Sequence, residues 1–138
     1  MAGLVAAVLA PFPPAPATAS CAGPSLRGSE RLVLESGGTA TVEGQNFVDG
    51  CRDTMSCSGV LGCQKCRYDE PPEQPQQDIR LVLRQRGHTW LLDTADAGTT
   101  VDRRLGQVTW TFVVPDGVEP GRAWLTPEGA QPVGVRVR

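Results

Sequence analysis

No Lys, Arg, Asp or Glu precedes Arg27, so the first 26 residues of this chain carry no side-chain charge. Histidine is nearly missing as well: His88 stands alone, with none of the second imidazoles or orienting groups that a hydrolytic triad or a His-based metal site requires. The chain also lacks G-x-S-x-G, H-E-x-x-H and phosphate-loop glycine patterns, which removes the commonest enzymatic motifs. Aromatic residues make up 5% of the sequence, and no stretch keeps the i, i+3, i+4 apolar spacing of an amphipathic helix. The formal net charge is −2, which gives none of the global basic field that nucleic-acid binding needs. These absences predict a protein that is not an enzyme, holds no cofactor and binds no nucleic acid.

What is present begins with a leader. Leu4 to Ala10 is an apolar run followed by small residues, Ala15 to Ser20. The run is far shorter than the roughly 20 residues that cross a bilayer, so residues 1–20 read as an export signal. Met1-Ala2-Gly3 supplies no basic side chain, which points to a translation start upstream of Met1. Thr18-Ala19-Ser20-Cys21 resembles the lipobox of bacterial lipoproteins, with Thr where Leu is usual, and implies an acylated Cys21 that anchors the protein in the membrane. An ordinary signal-peptidase cut after Ala19 is the competing reading, with secretion as its consequence and Cys21 then the first of the disulfide cysteines. Residues 21–30 are expected to form a tether in either case.

Five cysteines cannot all pair within one chain, and an odd cysteine in an exported protein calls for a modification, a partner molecule or a free thiol. Acylation of Cys21 would leave Cys51, Cys57, Cys63 and Cys66, spaced C-x5-C-x5-C-x2-C among Gly50, Gly59 and Gly62. Two local disulfides are expected there, with three connectivities open. Two alternatives use the same residues. Four thiolates can hold a tetrahedral zinc, and Cys63-Gln64-Lys65-Cys66 can act as a redox dithiol, although Pro71-Pro72 follows too soon for the usual helix.

Abundant Gly (16) and Pro (12) suit many short strands joined by turns. Arg31–Glu35 and Thr39–Glu43 read as strands around the turn Ser36-Gly37-Gly38. Ile79–Arg84, Gln107–Val114 and Val133–Arg138 each alternate, which puts Ile79, Leu81 and Leu83, then Val108, Trp110, Phe112 and Val114, then Val133, Val135 and Val137 on inward faces. His88–Asp93, Thr99–Asp102 and Ala123–Thr126 are shorter candidates. About eight strands in all predict an all-β domain of two packed sheets over residues 31–138. The Cys-rich and Pro/Gln-rich insert spans 50–78, and Glu70–Gln77 within it reads as an extended, exposed spacer.

Two segments carry a family resemblance. Ser36–Phe47, with its glycine turn, alternating strand, Gly44 and Phe47, resembles the opening of bacterial IPT/TIG-type immunoglobulin-like domains. Val113–Ala123 resembles the "VP-x-x-x-x-P-G-x-A" turn between their last strands. The resemblance implies an immunoglobulin-like β-sandwich, and the insert sets this chain apart, closer to small exported proteins and lipoproteins of high-GC bacteria. An extracytoplasmic module that binds an envelope protein or polymer is therefore expected. An accessory carbohydrate-binding domain is a further alternative, for which Trp90 and Trp124 are the candidate ligand-stacking residues and Trp110 belongs to the core. Arg80, Arg84, Arg136 and Arg138 are expected on solvent-facing strand surfaces, where an anionic envelope polymer would meet them. Asp93, Asp96 and Asp102 offer oxygens to Ca²⁺, without EF-hand spacing.

Overall fold

Burial follows the predicted alternation closely in the longest strands. From Ile79 to Gln85 every odd-numbered side chain is buried, and from Val108 to Val113 every even-numbered one is. The computed structural model describes residues 21–59 and 65–138. The expected export signal, residues 1–20, and Cys63 lie outside the described residues.

In chain order the strands begin with β1 (Ser25–Leu26), β2 (Val33–Leu34), β3 (Thr39–Gln45) and β4 (Val48–Asp49). The insert holds β5 (Met55–Ser58), β6 (Lys65–Tyr68) and β7 (Gln74–Pro75). The remainder are β8 (Ile79–Gln85), β9 (His88–Ala95), β10 (Val108–Val113), β11 (Gly121–Pro127) and β12 (Val133–Val137). One sheet runs β1-β3-β10, and the other runs β2-β12-β11-β8-β9. All pairings in them are antiparallel except β2 with β12. The described residues contain one short 3-10 turn, Ser29–Arg31, and no α-helix. The protein is all-β.

Val42, Val108, Trp110 and Phe112 from the first sheet meet Leu81, Leu83, Leu125 and Val135 from the second in a single apolar cluster. Burying such side chains stabilises the fold by about 1.5–3 kcal/mol each before entropy is subtracted. Phe47 and Trp110 sit at its centre, both fully buried and edge to face, with centroids 5.5 Å apart and planes at 82°. The Trp110 indole N–H donates to the Ile79 carbonyl at 2.9 Å, which satisfies the one polar atom of that ring and ties the two sheets together. Gly44 is small for a reason visible here: a Cβ would stand 2.5 Å from Phe47 Cε2 and 2.8 Å from Val108 Cγ1.

The two segments that carry the family resemblance lie side by side. Gly37 N–H donates to the Val114 carbonyl at 2.9 Å, and Val114 N–H donates to the Gly38 carbonyl at 2.8 Å. Ser36 Oγ donates to the Val118 carbonyl at 3.1 Å. Gln85, the buried polar residue of β8, pins the same turn: its amide donates to the Glu119 carbonyl at 2.8 Å and its Oε1 accepts the Glu119 N–H at 2.9 Å.

Four expectations need correction. Thr99–Asp102 is not a strand: Thr100–Arg103 is a turn, closed by Arg104 N–H to the Thr99 carbonyl at 3.0 Å. The first expected strand shrinks to Val33–Leu34, because Ser29–Arg31 coils into the 3-10 turn. Residues 21–30 are more than a tether, since β1 adds to β3 with Ser25 opposite Gln45. The Pro/Gln spacer docks at its far end: β7 pairs with β4, Gln76 N–H donates to the Phe47 carbonyl at 3.1 Å, and Gln76 Nε2 donates to Asp49 Oδ1 at 2.9 Å. Pro75 is tolerated there because this two-stranded ladder is an edge.

Candidate functional site

The insert leaves the sandwich through the β4–β7 ladder and folds into a hairpin. β5 and β6 pair with Met55 opposite Tyr68, Cys57 opposite Cys66 and Ser58 opposite Lys65. None of the eight residues is buried, so no core holds this element. A two-stranded ribbon without a packed face is marginal in water, and covalent closure compensates. Cys57 and Cys66 form a disulfide across the ribbon, their Cα atoms 4.0 Å apart, the close spacing of a non-hydrogen-bonded pair. A second disulfide, Cys21–Cys51, clamps the base of the insert to the N-terminal segment, with Cα atoms 5.8 Å apart.

This pairing corrects the expectation that Cys21 is acylated while Cys51, Cys57, Cys63 and Cys66 pair among themselves. A sulfur in a disulfide cannot carry a thioether-linked lipid. The physical reason is strand geometry. β1 runs antiparallel to β3, so the chain before Ser25 travels toward the chain after Gln45; Asn46 Nδ2 donates to the Gly23 carbonyl at 3.4 Å on the way, and Cys21 arrives beside Cys51. Four of the five cysteines are thereby consumed in two pairs. The zinc alternative loses its thiolates, because Cys51, Cys57 and Cys66 are all oxidised, and the Cys63–Cys66 dithiol is replaced by Cys57–Cys66. Asp53 lies near the Cys21 and Cys51 sulfurs, but bonded sulfurs offer no thiolate to a metal.

Alternation gives the hairpin two unlike faces. Met55, Tyr68 and the disulfide share one, and Ser56, Ser58, Lys65 and Arg67 share the other. Met55 is 51% exposed and Tyr68 44%, an apolar pair standing in solvent. The Arg52 guanidinium lies 4.5 Å from the Tyr68 ring centroid and braces it by cation–π attraction. At the foot, the Thr54 hydroxyl donates to Glu70 Oε1, and Asp69 N–H donates to the Thr54 carbonyl at 3.2 Å. These residues were not singled out in the sequence, where the cysteine pattern signalled a rigid loop but gave no register.

The other expected site residues are dispersed. Trp110 is core, as expected. Trp90 stands opposite the buried Leu83 and is half-buried on the core side of β9, whereas Trp124 stands opposite the exposed Arg84 and points outward, 45% exposed. A shared tryptophan platform therefore does not form, because the two rings occupy opposite faces of one sheet. His88 is exposed and leans on Trp90 with ring centroids 5.7 Å apart. Arg80, Arg84, Arg136 and Arg138 are all solvent-exposed. The carboxylates weighed for Ca²⁺ cap separate backbone amides. Asp93 accepts from Thr94 and Thr111 N–H, Asp96 from Asp78 N–H and Asp102 from Arg104 N–H, at 2.8 to 3.0 Å.

Among the described residues no helix is long and apolar enough to cross a membrane. Compared with family models, curated proteins and solved structures, the chain matches none of them.

Proposed function

We propose that the protein is a non-catalytic, extracytoplasmic immunoglobulin-like module, of the kind the IPT/TIG resemblance implies, that presents its disulfide-closed hairpin to a protein of the cell envelope. The observation that carries this reading is the exposed Met55–Tyr68 pair on a ribbon none of whose strand residues is buried. An apolar pair held in water by two covalent clamps gains free energy when a partner covers it, and pre-ordering lowers the entropic cost of doing so. Two disulfides suit an oxidising compartment, as the leader does. The engagement of Cys21 supports a secreted form over a lipid-anchored one.

A photo-crosslinking residue placed at Met55 in the native exporting host tests the reading, with Val101, 92% exposed and on the sandwich, as the control position. A discrete adduct from position 55, absent from position 101 and lost with Tyr68→Ala, is expected. Equal labelling at the two positions, or recovery of the mature protein with reduced Cys57 and Cys66 from the cytoplasm, refutes it.

A further inference from the structure

Far from the hairpin in sequence, the outer face of the five-stranded sheet gathers positive charge in a protein whose net charge is −2. Arg136 of β12 stands opposite Val33 of β2 on one side and Arg122 of β11 on the other. In the next row Gly134, Trp124, Arg84 and Thr89 follow one another across β12, β11, β8 and β9. Like charges directly opposite on neighbouring strands repel, so the Arg122–Arg136 pair weakens the sheet when nothing binds there.

Two carboxylates near this face are already paired. Glu128 pairs with Arg80, and Glu119 with Arg86. Among the described residues no carboxylate lies within 4.0 Å of the guanidinium groups of Arg84, Arg122 or Arg136. Between the arginines runs a groove of about 380 Å³ lined by Arg31, Leu32, Val33, Arg122, Gly134 and Arg136 among others, with no acidic side chain among the described residues of its wall. Gly134 makes its floor. A Cβ there would sit 3.6 Å from Trp124 Cζ3 and 3.8 Å from Arg122 Nε, so both side chains lean over the space that the glycine leaves. The Arg122 guanidinium lies over the Trp124 ring, 5.4 Å from its centroid, so cation and aromatic ring are stacked and the ring's other face is the one left for a ligand.

We propose that this face is a binding site for an acidic glycan, a sugar polymer carrying carboxylates. Arg122 and Arg136 present planar forks suited to carboxylate, and an anion between them replaces mutual repulsion with two charge-assisted contacts. Trp124 offers a partly exposed apolar ring to the C–H face of a pyranose. The site does not rest on the hairpin reading, and the two surfaces share no residue.

Binding of the full oxidised chain to polygalacturonate, measured by calorimetry beside dextran, polyglutamate and oligothymidylate, tests the site. Polygalacturonate should bind with a salt-dependent affinity and raise the unfolding temperature, and dextran should not bind. Arg122→Ala and Arg136→Ala should each weaken binding about tenfold or more, since each removes a charge-assisted hydrogen bond. Arg136→Lys should restore little of that loss, because an ammonium cannot fork. Trp124→Ala should weaken polygalacturonate and leave polyglutamate unchanged. Arg136→Ala should unfold at the parent's temperature or above because a repulsion is removed, and Arg136→Lys at the parent's because the charge stays, which separates lost binding from lost fold. No binding of polygalacturonate, equal binding of polyglutamate or tighter binding of oligothymidylate, or a silent Trp124→Ala, overturns the proposal.

Discussion

Between Ile79 and Gln85 every second side chain is buried, whereas between Met55 and Ser58 none is. The two segments are both strands with an antiparallel partner, yet what holds them differs in kind. β8 lies between β9 and β11 and contributes Ile79, Leu81 and Leu83 to a core shared by two sheets. β5 has β6 alone, and a disulfide in place of a core. Burial makes the sandwich cooperative, because each side chain depends on many others. Cross-linking acts chiefly on the unfolded chain, so the hairpin's stability is local and can be removed without disturbing its host.

The largest effect should come from the centre of the core. Phe47→Ala removes the ring that fills the space above Gly44 and meets Trp110 edge to face. It should cost about 3–5 kcal/mol, a large part of the about 5–15 kcal/mol typical of a domain. Urea unfolding followed by tryptophan fluorescence measures it. A loss below 1 kcal/mol, roughly the range of surface substitutions, would break the comparison at its stronger end.

The next effect belongs to the hairpin. Cys57 and Cys66 close a separation of 9 residues, which in the chain-entropy picture is worth about 2.5 kcal/mol. The double replacement Cys57→Ser, Cys66→Ser should abolish amide-exchange protection across Met55–Tyr68 while the urea midpoint of the sandwich stays within experimental error. Cys21 and Cys51 are 30 residues apart and join the insert to β1, so Cys21→Ser, unlike the hairpin lesion, should lower that midpoint, by the equivalent of about 2–4 kcal/mol of stability. If the two lesions act alike, the hairpin is part of the cooperative core and the contrast fails.

The same contrast explains what could be read in the sequence. Period-two alternation appears where one face is buried, so β3, β8, β10 and β12 were legible, as were the inward Trp110 and the outward Trp124. No such signal exists in β5 and β6, since neither face is buried, and glycine and cysteine there announced a loop. β1, β4 and β7 are two residues each and owe their conformation to the strand beside them. The Cys21–Cys51 pair was hidden for a related reason, because only the addition of β1 to β3 brings the two residues together. Parity required an odd cysteine but left open whether Cys21 was that one, acylated, or a member of a disulfide; the structure pairs it with Cys51. The arginine face was half visible: Arg136 and Trp124 were expected outside, while Arg122 and Gly134 join them only through the register of β11 on β12.

A surface ion pair is a third means of holding strands together, and the weakest of the three. Arg80 and Glu128 form a two-pronged contact, Nε to Oε2 at 3.0 Å and Nη2 to Oε1 at 3.1 Å, beside a backbone bond from Glu128 N–H to the Arg80 carbonyl at 2.8 Å. The hydrogen bond from the Arg80 side chain, with the backbone contact and the positive charge behind it, holds the Glu128 carboxyl below its ordinary value. Because the folded value is depressed, its contribution is fully present above the unfolded carboxylate range, about 4.3. It is lost as pH falls through the folded value. The stability difference between the parent and Glu128→Gln should therefore be small at neutral pH, vanish on acidification below that range, and shrink at high salt, since both side chains are more than half exposed. Urea midpoints at neutral and acid pH, at low and high salt, give the answer. A difference that persists in acid would mean Glu128 acts by packing, and would move this contact from the electrostatic side of the comparison to that of the core.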